Sequence, residues 1–190
     1  MHEKKTLQET TKYRLAVAMA QCMKTKPVDR ITIREITDAC GVTRQTFYRN
    51  FLDKYDLINW YFERLLEESF AHMGSGKSVY EGLCRKFAYI KAERSFFRAA
   101  FASDEQNSLK EHDFASIYSF YQNKIVEKTG CAPDECIAFQ LEMYCRGSIA
   151  MTVKWVLGGM PQPPEVLAKN LTDAMPPKLG RLFQELGLLD

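Results

Sequence analysis

Ten residues, Thr43 to Leu52, hold the side chains best suited to recognition: TRQTFYRNFL carries Arg44, Gln45, Thr46, Tyr48, Arg49 and Asn50 and no acid. Side chains of these types suit an anionic, hydrogen-bonding partner. Arginine offers a two-pronged donor fork that matches guanine, and a glutamine amide matches adenine. At helical spacing Arg44 and Tyr48, Gln45 and Arg49, and Thr46 and Asn50 form i,i+4 rows, while Phe47 and Phe51 share the remaining face. The stretch predicts a short helix with one apolar side and a donor-rich side suited to an anionic surface. An ordinary solvated face on a helical bundle is the alternative; the turn and caps around the helix argue against it.

Those faces need elements to hold them. Thr32 is a good N-cap, and Glu35 three residues later completes a capping box, with Ile31 and Ile36 as a hydrophobic staple. Gly41 stands where that helix must stop and can take the left-handed conformation. Thr43 caps the next helix between the staple pair Val42 and Phe47. Asp53 caps a third between Leu52 and Leu57. Two short helices joined by a tight glycine turn form the helix-turn-helix pattern, whose second helix sets its N-terminal residues against base edges in the major groove. Ahead of it, about Thr11 to Lys24 predicts a first helix with Leu15, Ala18, Met19, Cys22 and Met23 on one stripe, ended by Pro27. After it, Lys54 to about His72 carries Leu57, Ile58, Tyr61, Leu65 and Leu66 and breaks at Gly74-Ser75-Gly76.

The run ITIREITDACGVTRQTFYRNFLDKYDLI resembles the DNA-binding domain of the TetR/AcrR family of bacterial transcriptional regulators, over about residues 10 to 60. The resemblance implies base contacts from Arg34, Arg44, Gln45, Thr46 and Arg49. It implies phosphate contacts from Thr32, Thr43, Tyr48, Asn50 and Lys54; Asn50 stands where the family often has an aromatic residue or histidine. It also implies a homodimer built on a four-helix bundle of C-terminal helices, and a C-terminal domain that binds a small-molecule effector. Repression is the family's usual mode. Members similar to the dihydroxyacetone-kinase regulators are activators controlled by a partner protein, and that alternative stays open.

The composition is that of a globular protein, with 46% apolar and 26% charged residues and a net charge of +2. Residues 1–54 hold 11 Lys/Arg against 6 Asp/Glu, whereas the remainder holds 15 against 18. The basic excess therefore sits with the helix-turn-helix, where a nucleic-acid footprint belongs. The opening MHEKKTLQETTKY is too polar for a signal peptide, and Ser148 to Leu157 is too short to span a membrane. A cytoplasmic chain follows, whose six cysteines, without a C-x-x-C, are expected to be reduced and buried. No metal or cofactor set emerges from His2, His72 and His112. Gly76-Lys77-Ser78 imitates the end of a phosphate-binding loop, but Ala71 replaces the required glycine and a helix precedes it instead of a strand.

From Ser78 to Lys128 the pattern stays helical and turns aromatic, with breaks around Ser103 to Asn107 and at Gly130. Aromatic stripes are core first and ligand walls second. As pocket walls, Phe87, Phe97, Phe101, Tyr118 and Tyr121 are the candidates, between the helix from Asp53 and the aromatic helices; the alternative is a solidly filled core with a protein docked outside. Pro133, Asp134 and Glu135 start another helix, in which Ile137, Leu141, Tyr144, Ser148, Met151 and Trp155 recur every 3.5 residues. Periodicity leaves this seam open to an intramolecular core or a dimer interface; the family resemblance favours the interface. Helix resumes at Pro164 to Ala174, and Pro176-Pro177 kinks or interrupts it before Leu179.

No run alternates at period two, so the expected fold is all-α. It divides into a three-helix helix-turn-helix DNA-binding domain at 1–53 and a helical regulatory, ligand-binding and dimerisation domain at 54–190. The expected function is that of a sequence-specific, homodimeric transcriptional regulator on a pseudo-palindromic double-stranded operator. An enzyme with a DNA-binding head would need clustered carboxylates, a metal set, or a Ser or Tyr nucleophile with basic partners, none of which the sequence offers.

Overall fold

Apolar residues at helical spacing, punctuated by glycine, proline and capping residues, make this chain helical almost throughout. The computed structural model describes residues 2–71, 77–103 and 109–189, with side chains from residue 10 onward. Among the described residues there are ten α-helices and no strand. They are α1 (His2–Cys22), α2 (Ile33–Cys40), α3 (Arg44–Tyr48), α4 (Lys54–Phe70), α5 (Val79–Ala92), α6 (Arg94–Ala102), α7 (Leu109–Thr129), α8 (Glu135–Leu157), α9 (Pro164–Asp173) and α10 (Pro177–Glu185). A 3-10 turn, Val28–Arg30, lies between α1 and α2. The breaks expected at Gly74-Ser75-Gly76 and through Asn107 fall outside the described residues. The chain forms two compact units: residues 1–64 with 93–109, and residues 65–92 with 110–190.

The first unit buries Leu15, Met19, Ile31, Ile36, Phe47, Leu57, Ile58 and Phe62 almost completely. Helix α1 begins at His2, not near Thr11, and presents the expected stripe, Leu15 to Met23, inward. Arg14 on α1 donates to the carbonyl of Cys40 at 2.8 Å, satisfying an acceptor that the end of α2 leaves without a helical partner. The predicted boundary at 53/54 is not where this unit ends. Phe62 on α4 meets Phe97 at 5.7 Å and Phe101 at 6.4 Å, and Tyr61 meets Phe96 at 5.0 Å. Burying rings of that size stabilises by about 1.5–3 kcal/mol each, enough to hold α6 with the helix-turn-helix although it lies far along the chain.

In the second unit, Ser78 caps α5: the Glu81 amide donates to its hydroxyl at 3.4 Å and Glu81 accepts from the Ser78 amide at 3.0 Å. The serine that imitates a phosphate loop thus belongs to a capping box. Asp134 accepts from the Ile137 amide at 2.8 Å at the head of α8, and Pro177 opens α10, so the proline pair ends one helix and starts another. Phe87 packs on Trp155 at 5.7 Å and Tyr121 on Phe183 at 5.2 Å. These contacts correct the predicted seam. Leu141, Tyr144 and Trp155 are buried within their own unit, and Ile137 and Ser148 are half-buried. The outward face of α8 is another apolar row: Phe139 (69% exposed), Met143, Gly147, Ala150 and Leu157, with Met151 at its edge. Of the six cysteines, all free, only Cys145 is buried; Cys131 and Cys136 are exposed.

The same unit contains a feature the sequence reading missed. Lys86 donates to both oxygens of Asp113 at 3.1 and 3.0 Å, and neither side chain reaches solvent appreciably. The signal was there: Asp113 interrupts the apolar row Leu109, Ile117, Tyr121 and Ile125, and Lys86 falls on the row of Val79, Leu83 and Ile90. Burial pushes the Asp113 carboxyl up, while the ammonium opposes that shift. Removing the carboxylate takes a two-oxygen partner away from a buried ammonium. Asp113→Ala is expected to cost about 3–5 kcal/mol in urea unfolding, whereas the apolar pair Lys86→Met with Asp113→Leu should unfold near the unmutated chain.

Candidate nucleic-acid interface

The geometry at α2 and α3 follows from their caps. Glu35 accepts from the Thr32 amide at 2.9 Å and the Thr32 hydroxyl accepts from the Glu35 amide at 3.3 Å, so the capping box is closed. Gly41 takes φ 68° and directs the chain into the turn. Thr43 caps α3, accepting from the Thr46 amide at 3.2 Å, and its hydroxyl pairs with that of Thr46 at 3.0 Å. Regular helix ends at Tyr48, so the predicted short helix is a little over one turn. Phe47 and Phe51 are buried, as their shared face requires.

The remaining faces carry the donors. Arg44, Gln45, Tyr48 and Arg49 are exposed, and among the described residues no hydrogen bond or ion pair engages their polar ends. Arg34 is exposed beside Asp38, at 3.5 Å on the next turn of α2. Thr32, Thr43 and Thr46 lie at the same edges with their hydroxyls in local bonds.

Two expected phosphate contacts are directed elsewhere. Asn50 is half-buried and donates its amide to the Thr46 carbonyl at 2.8 Å, closing the end of α3. Lys54 donates to the carbonyls of Val28 at 2.7 Å, Asp29 at 2.9 Å and Ile31 at 2.9 Å. Asp53 does cap α4, accepting from the Tyr55 and Asp56 amides at 2.8 Å. Its staple is absent: Leu52 is 85% exposed, and its amide donates to Asp56 at 2.9 Å.

The five proposed pocket walls divide between the two units. Phe97 and Phe101 belong to the core of the first unit; Phe87, Tyr118 and Tyr121 belong to the second. Phe87 and Tyr121 line a cavity of about 20 Å³ with Lys86, Tyr144, Ser148 and Thr152, room for one water molecule. The Tyr144 and Ser148 hydroxyls there are buried and close enough to interact, yet outside hydrogen-bond geometry; burial pushes the Tyr144 phenol well up. Tyr118 is half-buried and stacks on Phe114 at 5.3 Å.

Residues 15–60 match the family described as bacterial regulatory proteins, tetR family, and residues 77–176 match a transcriptional regulator C-terminal region. No curated protein matches the chain. Three similar solved structures are a dihydroxyacetone kinase operon activator, DhaS; the repressor AlkX from Dietzia sp. strain DQ12-45-1b; and RolR in complex with resorcinol. The first shares 17% identity at a TM-score of 0.62, covering 95% of this chain and 98% of that one. AlkX shares 15% at 0.53, covering 90% and 95%. RolR shares 13% at 0.53, covering 95% of each.

The cap of α2 titrates. A hydrogen bond from Lys26, with those from the Thr32 amide and hydroxyl, holds the Glu35 carboxyl at about 2, below its ordinary 4.5. A depressed acid stabilises the fold above its unfolded pKa and loses that contribution as the pH falls through its folded one. Stability should therefore decline from about pH 4.5 to about pH 2, and Glu35→Gln should flatten that part of the melting profile measured by circular dichroism.

Proposed function

Because this chain belongs to the TetR family of transcriptional regulators, proteins that are not enzymes, we propose that it is a sequence-specific, homodimeric repressor acting in the cytoplasm on a pseudo-palindromic operator. The observation that carries the reading is the exposed, acid-free face of Arg44, Gln45, Tyr48 and Arg49 on a capped helix-turn-helix. Base contacts from Arg44, Gln45, Thr46, Arg49 and Arg34 specify the site, and phosphate contacts from Thr32, Thr43 and Tyr48 position the unit on it. Selection of bound sequences from random DNA tests this: enrichment of an inverted repeat supports it, and no enrichment removes it. On the selected duplex, Arg44→Ala should cost about 1–3 kcal/mol in anisotropy titrations, with little loss on unrelated DNA.

The second subunit fits the outward row of α8. Phe139, Met143 and Leu157 are large apolar side chains exposed on one helix, and Gly147 and Ala150 keep the middle of the row low enough for a facing helix. Dimer interfaces of this kind are driven by burial of such anchors. Phe139→Glu with Met143→Glu should turn the dimer into a monomer in sedimentation velocity and abolish operator binding, while Leu141, on the inward face, is needed for folding instead.

Control of DNA affinity has two readings. A small-molecule effector at the cavity beside Tyr144 requires that cavity to open, because pockets for drug-sized ligands are about 300–1,000 Å³ and it has about 20 Å³. The small size of that cavity is the observation that speaks for a second reading, an activator of the same fold governed by a docked protein. Thermal melting with candidate metabolites separates them. A saturable upward shift that also changes operator affinity supports the small molecule, and its absence together with capture of a defined partner protein supports docking.

A further inference from the structure

Lys54 stands at a place where a cation is ill suited to its own helix. It is the first residue of α4, where the helix dipole favours negative charge. An ammonium has three donors and no acceptor, and here all three are engaged, on the carbonyls of Val28, Asp29 and Ile31. The Val28 and Ile31 side chains are buried, which anchors the 3-10 turn from inside while its carbonyls converge on Lys54. The turn's own bonds, from the Arg30 amide to Pro27 and from the Ile31 amide to Val28, leave those oxygens able to accept. Ile31 directly precedes Thr32, the cap of α2. Thr32 is bound to Glu35, and Glu35 to Lys26. The first turn of α4 and the entry to α2 are therefore one hydrogen-bonded network.

We infer that Lys54 is a positioning residue for DNA recognition: it locks the entry of α2 to the first turn of α4, and so sets the pose of α2 and α3, without neutralising a phosphate. The inference rests on the first unit being the DNA-binding unit. To meet a phosphate, the ammonium would have to leave carbonyls spaced around it like a socket, each a charge-assisted bond. Burial lowers its pKa, as expected of a cation held inside a turn, and the nearby Asp29 and Asp53 partly offset that shift.

The test compares the full-length chain with Lys54→Met and Lys54→Arg, titrated against the selected operator and a random duplex over a range of KCl concentrations. Lys54→Met is expected to lose about tenfold or more on the operator, little on random DNA, and to keep the salt slope of the unmutated chain. Lys54→Arg should not restore binding, because a planar guanidinium cannot fill a three-carbonyl socket. A slope reduced by about one ion, equal losses on both duplexes, and rescue by arginine would overturn the inference. A readout without substitution is the nitrogen-15 signal of the Lys54 ammonium in the unmutated protein. Protons held by three carbonyls should exchange slowly in free protein, and the signal should stay in place when operator is added; fast exchange, or a shift on DNA, counts against the socket. If the chain binds no DNA, the functional reading fails on its own, while the ammonium signal in free protein still decides whether the socket exists.

Discussion

A helix of five residues has no stability of its own in water, because nucleation costs more than so few backbone bonds return. What holds α3, and with it the exposed donors of Arg44, Gln45, Tyr48 and Arg49, is the burial of Phe47. That ring is fully enclosed and makes an edge contact with Tyr48 at 5.6 Å and a tilted contact with Phe51 at 5.8 Å. Phe51 in turn meets Trp60 on α4, and Trp60 meets Tyr13 on α1. With Phe47 inside, the helical period leaves Arg44, Gln45, Tyr48 and Arg49 outside. The donor-rich face is therefore a consequence of core packing: the donors are displayed because one side of a single helical turn has nowhere else to go.

The second unit obeys the opposite demand, since its interior must also accommodate polarity. Lys86 and Asp113 satisfy one another, and the neighbouring Tyr144 and Ser148 hydroxyls line a cavity the size of a water molecule. Buried polar groups of this kind contribute little net stability compared with apolar substitutes, yet are costly to break singly. They make this core sensitive to local change. The outward row of α8 carries the complementary property, an apolar surface left in solvent.

The features legible in the chain alone depend on neighbours within four residues. Thr32 with Glu35, Thr43, Asp53 and Asp134 cap their helices, and Gly41 takes the left-handed turn, because a side-chain oxygen reaching an amide two or three positions away needs no distant partner. The burial of Phe47 and Phe51 was legible too, since both share a helical face opposite a run of donors. So was the all-helical class.

Tertiary structure decided what links distant positions. Lys54 reads as a free cation beside a DNA-binding motif; only the fold brings it to carbonyls 23 to 26 residues away. Phe97 and Phe101 look like part of the aromatic C-terminal stretch and belong to the first unit through Phe62. Helix α8 carries two apolar rows, and periodicity cannot say which one faces inward; the rings of Phe87 and of its neighbours in the core select the row of Leu141, Tyr144 and Trp155. Caps and turns are short-range hydrogen bonds written into adjacent residues, whereas the choice of face and of partner is made by packing between segments whose separation along the chain carries no local signature.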